Sequence, residues 1–98
     1  MAIPMMEIKG TRYYSNKDVI WVRNDNSIVV IQKQWNLSYE LIELEASCWE
    51  WLHQSYNYDD ITVLTSNVYS LPIDEAELLI IGILQKWVDN QLLEVSHG

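Results

Sequence analysis

Two histidines, one cysteine and 14 carboxylates are the side chains of this 98-residue chain that could carry acid–base, nucleophilic or metal chemistry. His53 closes an apolar helical pattern and His97 stands next to the C-terminal end, and neither has a metal ligand at a recognisable spacing. Cys48 lies inside ELEASCWEWL, where a thiol behaves as a small buried hydrophobe. A single cysteine also excludes an internal disulfide and a cysteine-based metal cluster. The acids are spread along solvated helix faces, whereas catalytic carboxylates need a cleft that perturbs them. There is no glycine-rich phosphate loop, no nucleophile elbow and no cofactor motif. The expectation is a non-catalytic protein that needs neither cofactor nor metal.

The charges point the same way. Net charge is −8, and five of the six basic residues (Lys9, Arg12, Lys17, Arg23 and Lys33) lie in the first third. From Trp35 onward Lys86 is the only basic residue, against eleven acids. Such a surface repels a phosphate backbone, whose binding depends on Lys and Arg. It attracts a basic peptide or protein surface. The bland explanation, that the acids only keep the chain soluble, accounts for them equally. The longest apolar run, Leu78–Leu84, is too short to span a bilayer. Met1–Lys9 lacks the apolar stretch of a secretory signal, so a cytoplasmic location is expected. Five Trp and six Tyr, with no Phe, suit half-buried positions such as grooves and interfaces.

The elements that must position any site begin with β-branched runs. Met1–Gly10 reads as an N-terminal arm. Asp18–Arg23 and Ser27–Lys33, separated by Asn24-Asp25-Asn26, predict a hairpin. A turn around Asn36 leads to a short third strand over Ser38–Leu41, and Thr11–Tyr14 offers a further one. The period then changes. Leu44, Cys48 and Leu52 recur at fourfold spacing and line one face of a helix over Ile42–His53. Asp59–Ser66 predicts a second helix with an acidic start. A third runs from near Pro72, capped by Ser70 or by Asp74 with Glu77, to a stop at Asn90. Leu92–Val95 extends the sheet or packs on its end, and residues 96–98 are a tail. One domain is all this length supports.

The third helix is the most informative. Ala76, Ile80, Ile83, Leu84 and Trp87 form one stripe, enough to anchor it. Leu78, Leu79, Ile81 and Gly82 are also apolar and point elsewhere. Either the domain encloses the helix on all sides, which is hard in so small a chain, or this second face docks a partner. A helix-interior glycine costs roughly 1 kcal/mol against alanine and permits close approach, which favours docking.

YELIELEASCWEWL resembles the junction of third strand and first helix in PqqD-like proteins. DDITVLTSNVY is similar to their second helix, and DEAELLIIGILQKWVDNQLLEV to their third and its closing Leu-Leu. The likeness covers about Asp18 to Val95. Departures are Leu79 and Gly82, where the family carries polar or acidic residues, Gln91, where a helix-ending Gly is common, and Ile42 in place of an Asn. The resemblance implies an α+β, winged-helix-like fold, a three-stranded antiparallel sheet followed by three helices. It also implies a function: binding the leader of a ribosomally synthesised precursor peptide and presenting it to a separate modifying enzyme, often a radical S-adenosylmethionine enzyme. The leader would add as a strand beside Ser38, Tyr39, Glu40 and Leu41, against Leu78, Leu79, Ile81, Gly82 and Gln85 of the third helix.

Two rivals stand beside it. A DNA-binding winged helix needs a basic third helix, and here that segment carries only Lys86. A homodimer or structural subunit, pairing the helix face and edge strand with themselves, is open to the same residues.

Overall fold

A computed structural model describes residues 5–97 of the chain. Six strands and three helices follow in the order β1 (Met5–Ile8), β2 (Thr11–Ser15), β3 (Val19–Arg23), β4 (Ser27–Gln32), β5 (Leu37–Ile42), α1 (Glu43–His53), α2 (Tyr58–Val68), α3 (Ile73–Asp89) and β6 (Leu93–His97). The fold is α+β, with the antiparallel sheet β3-β4-β5 running into three helices as the sequence predicts.

A second antiparallel sheet, ordered β1-β2-β6, was outside that expectation. Residues 5–8, expected in an arm, pair with β2 from Ile8↔Thr11 onward, while residues 1–4 lie outside the described range. The turn between them places Lys9 and Gly10 at positive φ. Leu93 to His97 joins the other edge of β2 rather than extending β3-β4-β5, so the expected tail at Ser96 and His97 is strand. Gly98 is outside the described residues.

Both sheets close on one core. Met6 of β1 and Leu93 of β6 are buried with Ile28, Val30 and Leu41 of the other sheet and with Trp49, Ile80 and Trp87 of the helices. α1 packs on β1, β4 and β5, which ties the sheets together. Trp49 and Trp87 meet edge to face at 5.2 Å, and His53 lies between the rings of Trp49 and Trp21. Trp49 and Trp87 are therefore core residues rather than groove or interface aromatics, while Trp21 stays part exposed at the edge of the cluster.

The helix ends differ from expectation in instructive ways. Asn57 caps α2 by accepting the Asp60 N–H at 2.8 Å. α3 starts at Pro72 with no side-chain cap, so neither Ser70 nor Asp74 plays that part. It ends at Asn90 as expected, but Asn90 has φ −89° and the left-handed residue is the next one, Gln91, at φ +60°. The chain enters α1 through Glu43, also at positive φ.

Candidate functional site

β5 is an edge strand. Its register on β4 runs from Gln32↔Leu37 to Ser27↔Ile42. Opposed residues share a face, so Leu37, Tyr39 and Leu41 lie on the core side with Gln32, Val30 and Ile28. Ser38, Glu40 and Ile42 face outward, where Glu40 accepts a hydrogen bond from the Ser27 hydroxyl at 3.2 Å. Leu41 is buried, Tyr39 half-buried and Leu37 exposed, so the core-side row opens progressively toward the start of the strand. Among the described residues the strand's far side is the free edge of the sheet, a row of backbone donors and acceptors that an extended peptide can complete.

Two contacts tie the C-terminal end of α3 to the chain on either side of this strand. Before β5, the Trp35 indole N–H donates to Gln91 Oε1 at 3.0 Å. Beyond it, the Lys86 ammonium meets the Glu45 carboxylate of α1 at 3.2 Å. At about 100° per residue, Leu79 and Gly82 share the flank of α3 that carries Lys86 and turns toward α1, the helix that follows β5. Ile81 falls on the opposite flank with Glu77, while Leu78 and Gln85 point away from the core stripe between the two. Glu77 lies close enough to Tyr58, at the start of α2, to raise the phenol's pKa, an effect second to the phenol's own burial. Gln85 donates to Asp89 along the helix at 2.9 Å.

The structure thus separates the five helix residues singled out in the sequence. Leu79 and Gly82 lie on the flank toward α1, Ile81 on the flank toward α2, and Leu78 and Gln85 on the outward crest between them. Leu78, Leu79 and Ile81 are 72%, 44% and 46% exposed, so the apolar excess of α3 is not covered by this domain. A Cβ added at Gly82 would meet nothing within 4 Å, so the glycine leaves open space rather than relieving a contact.

Residues missed in the sequence complete the arrangement. Gln32 is fully buried (0% exposed) and spends both ends of its amide: Nε2 donates to the Gln91 carbonyl at 2.8 Å, and Oε1 accepts the Gln34 N–H at 2.8 Å. The signal for Gln91 was present, as a bulky residue where a glycine ends the helix. Nothing local marks its partners, because the contacts span the chain.

The reactive groups are occupied structurally. Burial pushes the Cys48 thiol up to about 12, so little thiolate forms at neutral pH. Burial also lowers the His53 pKa, and its Nδ1 lies 2.8 Å from the Trp49 carbonyl. Among the described residues no group of three His, Cys, Asp or Glu gathers as a metal site. A polar concavity of ≈ 330 Å³ between the β3–β4 turn, α1 and Tyr69 is crossed by the Arg23–Glu50 ion pair. No helix among the described residues is long and apolar enough to cross a membrane.

No protein-family model matches the chain, and no curated protein matches it in sequence. Solved structures do. TbiB1 in complex with the TbiA(beta) leader peptide superposes with a TM-score of 0.78 at 19% identity, over 82% of this chain and 93% of that one. Lasso peptide synthetase B1 complexed with the leader peptide gives 0.78 at 13% identity, over 84% and 96%. The chain has the fold of these two leader-bound proteins.

Proposed function

We propose that this protein is a non-catalytic recognition module that binds the leader of a ribosomally synthesised precursor peptide by strand addition at β5 and delivers it to a separate modifying enzyme. The observation that carries the reading is an open edge strand bordered by an apolar helix flank, in a fold shared with proteins solved with leader peptides bound. Backbone groups of Ser38, Tyr39, Glu40 and Leu41 supply pairing. Leu79 and Gly82 supply an apolar wall that alternate leader side chains meet. Ile81, on the flank toward α2, serves this groove least, and Leu78 and Gln85 form its outer rim.

The two matched proteins favour a lasso peptide synthetase as the machinery served, ahead of the radical S-adenosylmethionine enzyme that the sequence resemblance suggests. The acidic surface from Trp35 onward favours a leader or enzyme with basic residues. Association should then slow as salt rises. A DNA-binding role is disfavoured by a third helix whose exposed surface is aliphatic and acidic.

Titration calorimetry tests the proposal with the leader of a short precursor encoded beside this gene. Binding at micromolar or tighter affinity, lost when the leader sequence is scrambled, is the expected result. Equal binding of the scrambled peptide sinks the reading. Sedimentation at the same concentrations addresses the homodimer, because a dimer closed through β5 leaves no edge for a leader.

A further inference from the structure

Trp35 is 52% exposed and Leu37 is 49% exposed, two positions apart where β5 begins. An exposed indole on a turn ordinarily swings freely, but this one is fixed by its N–H to Gln91 Oε1. Gln91 is fixed in turn, since its carbonyl accepts from the fully buried Gln32. The backbone of Gln91 sits at φ +60°, a conformation that glycine adopts with less strain. Glycine there would end the helix as well, but it could not hold the indole. The strained residue therefore does something a relaxed one could not.

An ordered, half-exposed tryptophan beside an exposed leucine is the arrangement of a binding anchor. Its rotamer freedom is given up before the partner arrives, so the loss is not charged against binding. The pair lies at the open end of the core-side row Leu37, Tyr39, Leu41, the row an added strand would continue. The geometry points to Trp35, pinned by Gln91, as the specificity anchor of the groove: it takes an aromatic or aliphatic side chain of the leader, on the leader residue that pairs beside Leu37. This assignment rests on the leader-binding reading above and adds to it the residue that selects and the chemistry selected.

The experiment measures leader affinity and thermal unfolding together for wild type, Trp35→Ala, Trp35→Phe and Gln91→Gly, with the synthetic leader named above as probe. Trp35→Ala should weaken binding about tenfold or more, and Trp35→Phe, which keeps a ring but loses the pin, by a smaller factor. Gln91→Gly is the discriminating variant. It relieves positive φ, so its unfolding temperature should hold or rise, yet it frees the indole and should weaken binding. If binding and stability fall together in Gln91→Gly, the pin is a folding contact and the inference is overturned. Binding within twofold of wild type for Trp35→Ala overturns it too, while leaving leader recognition standing. A wild-type protein that binds no leader removes both. On the leader side, replacing apolar residues singly with Asp should reveal one position whose effect disappears in the Trp35→Ala background.

Discussion

The two sheets have the same size and strand sense but opposite outer surfaces. In β1-β2-β6 the register places Glu7 opposite Arg12, Arg12 opposite Ser96, and Tyr14 opposite Glu94. That face is polar, with an Arg12–Glu7 ion pair at 3.7 Å. In β3-β4-β5 it places Ile20 opposite Ile31 and Val22 opposite Val29, with Ile42 at the next outward position on β5. An antiparallel sheet with one wet face normally alternates apolar inside with polar outside. The first sheet obeys this; in the second β3 and β4 do not, while β5 turns Ser38 and Glu40 outward beside them. The first sheet is thus finished by the core on one side and water on the other. The second carries apolar surface, an open edge at β5 and the hydrogen-bonded Trp35, the features on which the proposed leader site rests.

If the first sheet is scaffold, emptying its core contact should harm stability alone. Leu93→Ala should cost about 2–5 kcal/mol in urea unfolding, with leader affinity unchanged at temperatures where the variant stays folded. A matching loss of affinity would erase the distinction between the sheets. Next in size is a contrast between the flanks of α3. Leu79→Asp should weaken leader binding by about 2–4 kcal/mol, because the charge is desolvated against the peptide. Ile81→Asp should leave calorimetric affinity within twofold. Equal effects on both flanks would mean that the groove does not run along β5.

Strand addition itself is probed from the peptide. N-methylation of alternate leader amides should cost about 1–3 kcal/mol per blocked bond in one register and little in the other. A uniform response would exclude an added strand. A smaller effect comes from pH. His53, packed on Trp21 of β3, has a folded pKa below its ordinary 6.5, so the unfolded chain takes up the proton first. Its contribution is complete above pH 6.5 and declines as pH falls through the lowered value. Urea unfolding between about pH 7.5 and about 5.5 should show that decline, and His53→Phe should flatten it. Smallest of all, Ile20→Thr and Val22→Thr, on the wet side of the second sheet, should change stability by no more than about 0.5 kcal/mol.

How much of this was legible depended on sequence distance. β3, β4 and β5 were legible because Val, Ile, Trp and Tyr are dense there and Asn marks the turns. The helices followed from fourfold spacing, and the surplus apolar residues of α3 are indeed exposed. β1 was missed because its signal is two residues deep, Met6 and Ile8 alternating with Glu7 and Lys9, beside a chain end. Its sheet is also assembled from opposite ends of the chain, and no local pattern reports that. The Trp35–Gln91 bond spans 56 positions and was hidden for the same reason. The rotation of α3 was unreadable for another. Its apolar residues surround the helix, so periodicity alone could not tell the flank facing α1 from the flank facing α2. The Lys86–Glu45 and Glu77–Tyr58 approaches distinguish them.

The aliphatic outer face of β3-β4-β5 has a colloidal consequence. At neutral pH the net charge of −8 keeps copies apart even though this face and the neighbouring strand edges could stick. The isoelectric point is ≈ 4.4, and there the repulsion vanishes while the apolar surface remains. Solubility should therefore reach a sharp minimum near that pH, and turbidity should depend steeply on salt and concentration. Ile20→Thr with Val22→Thr should suppress the turbidity without moving the pH at which it peaks.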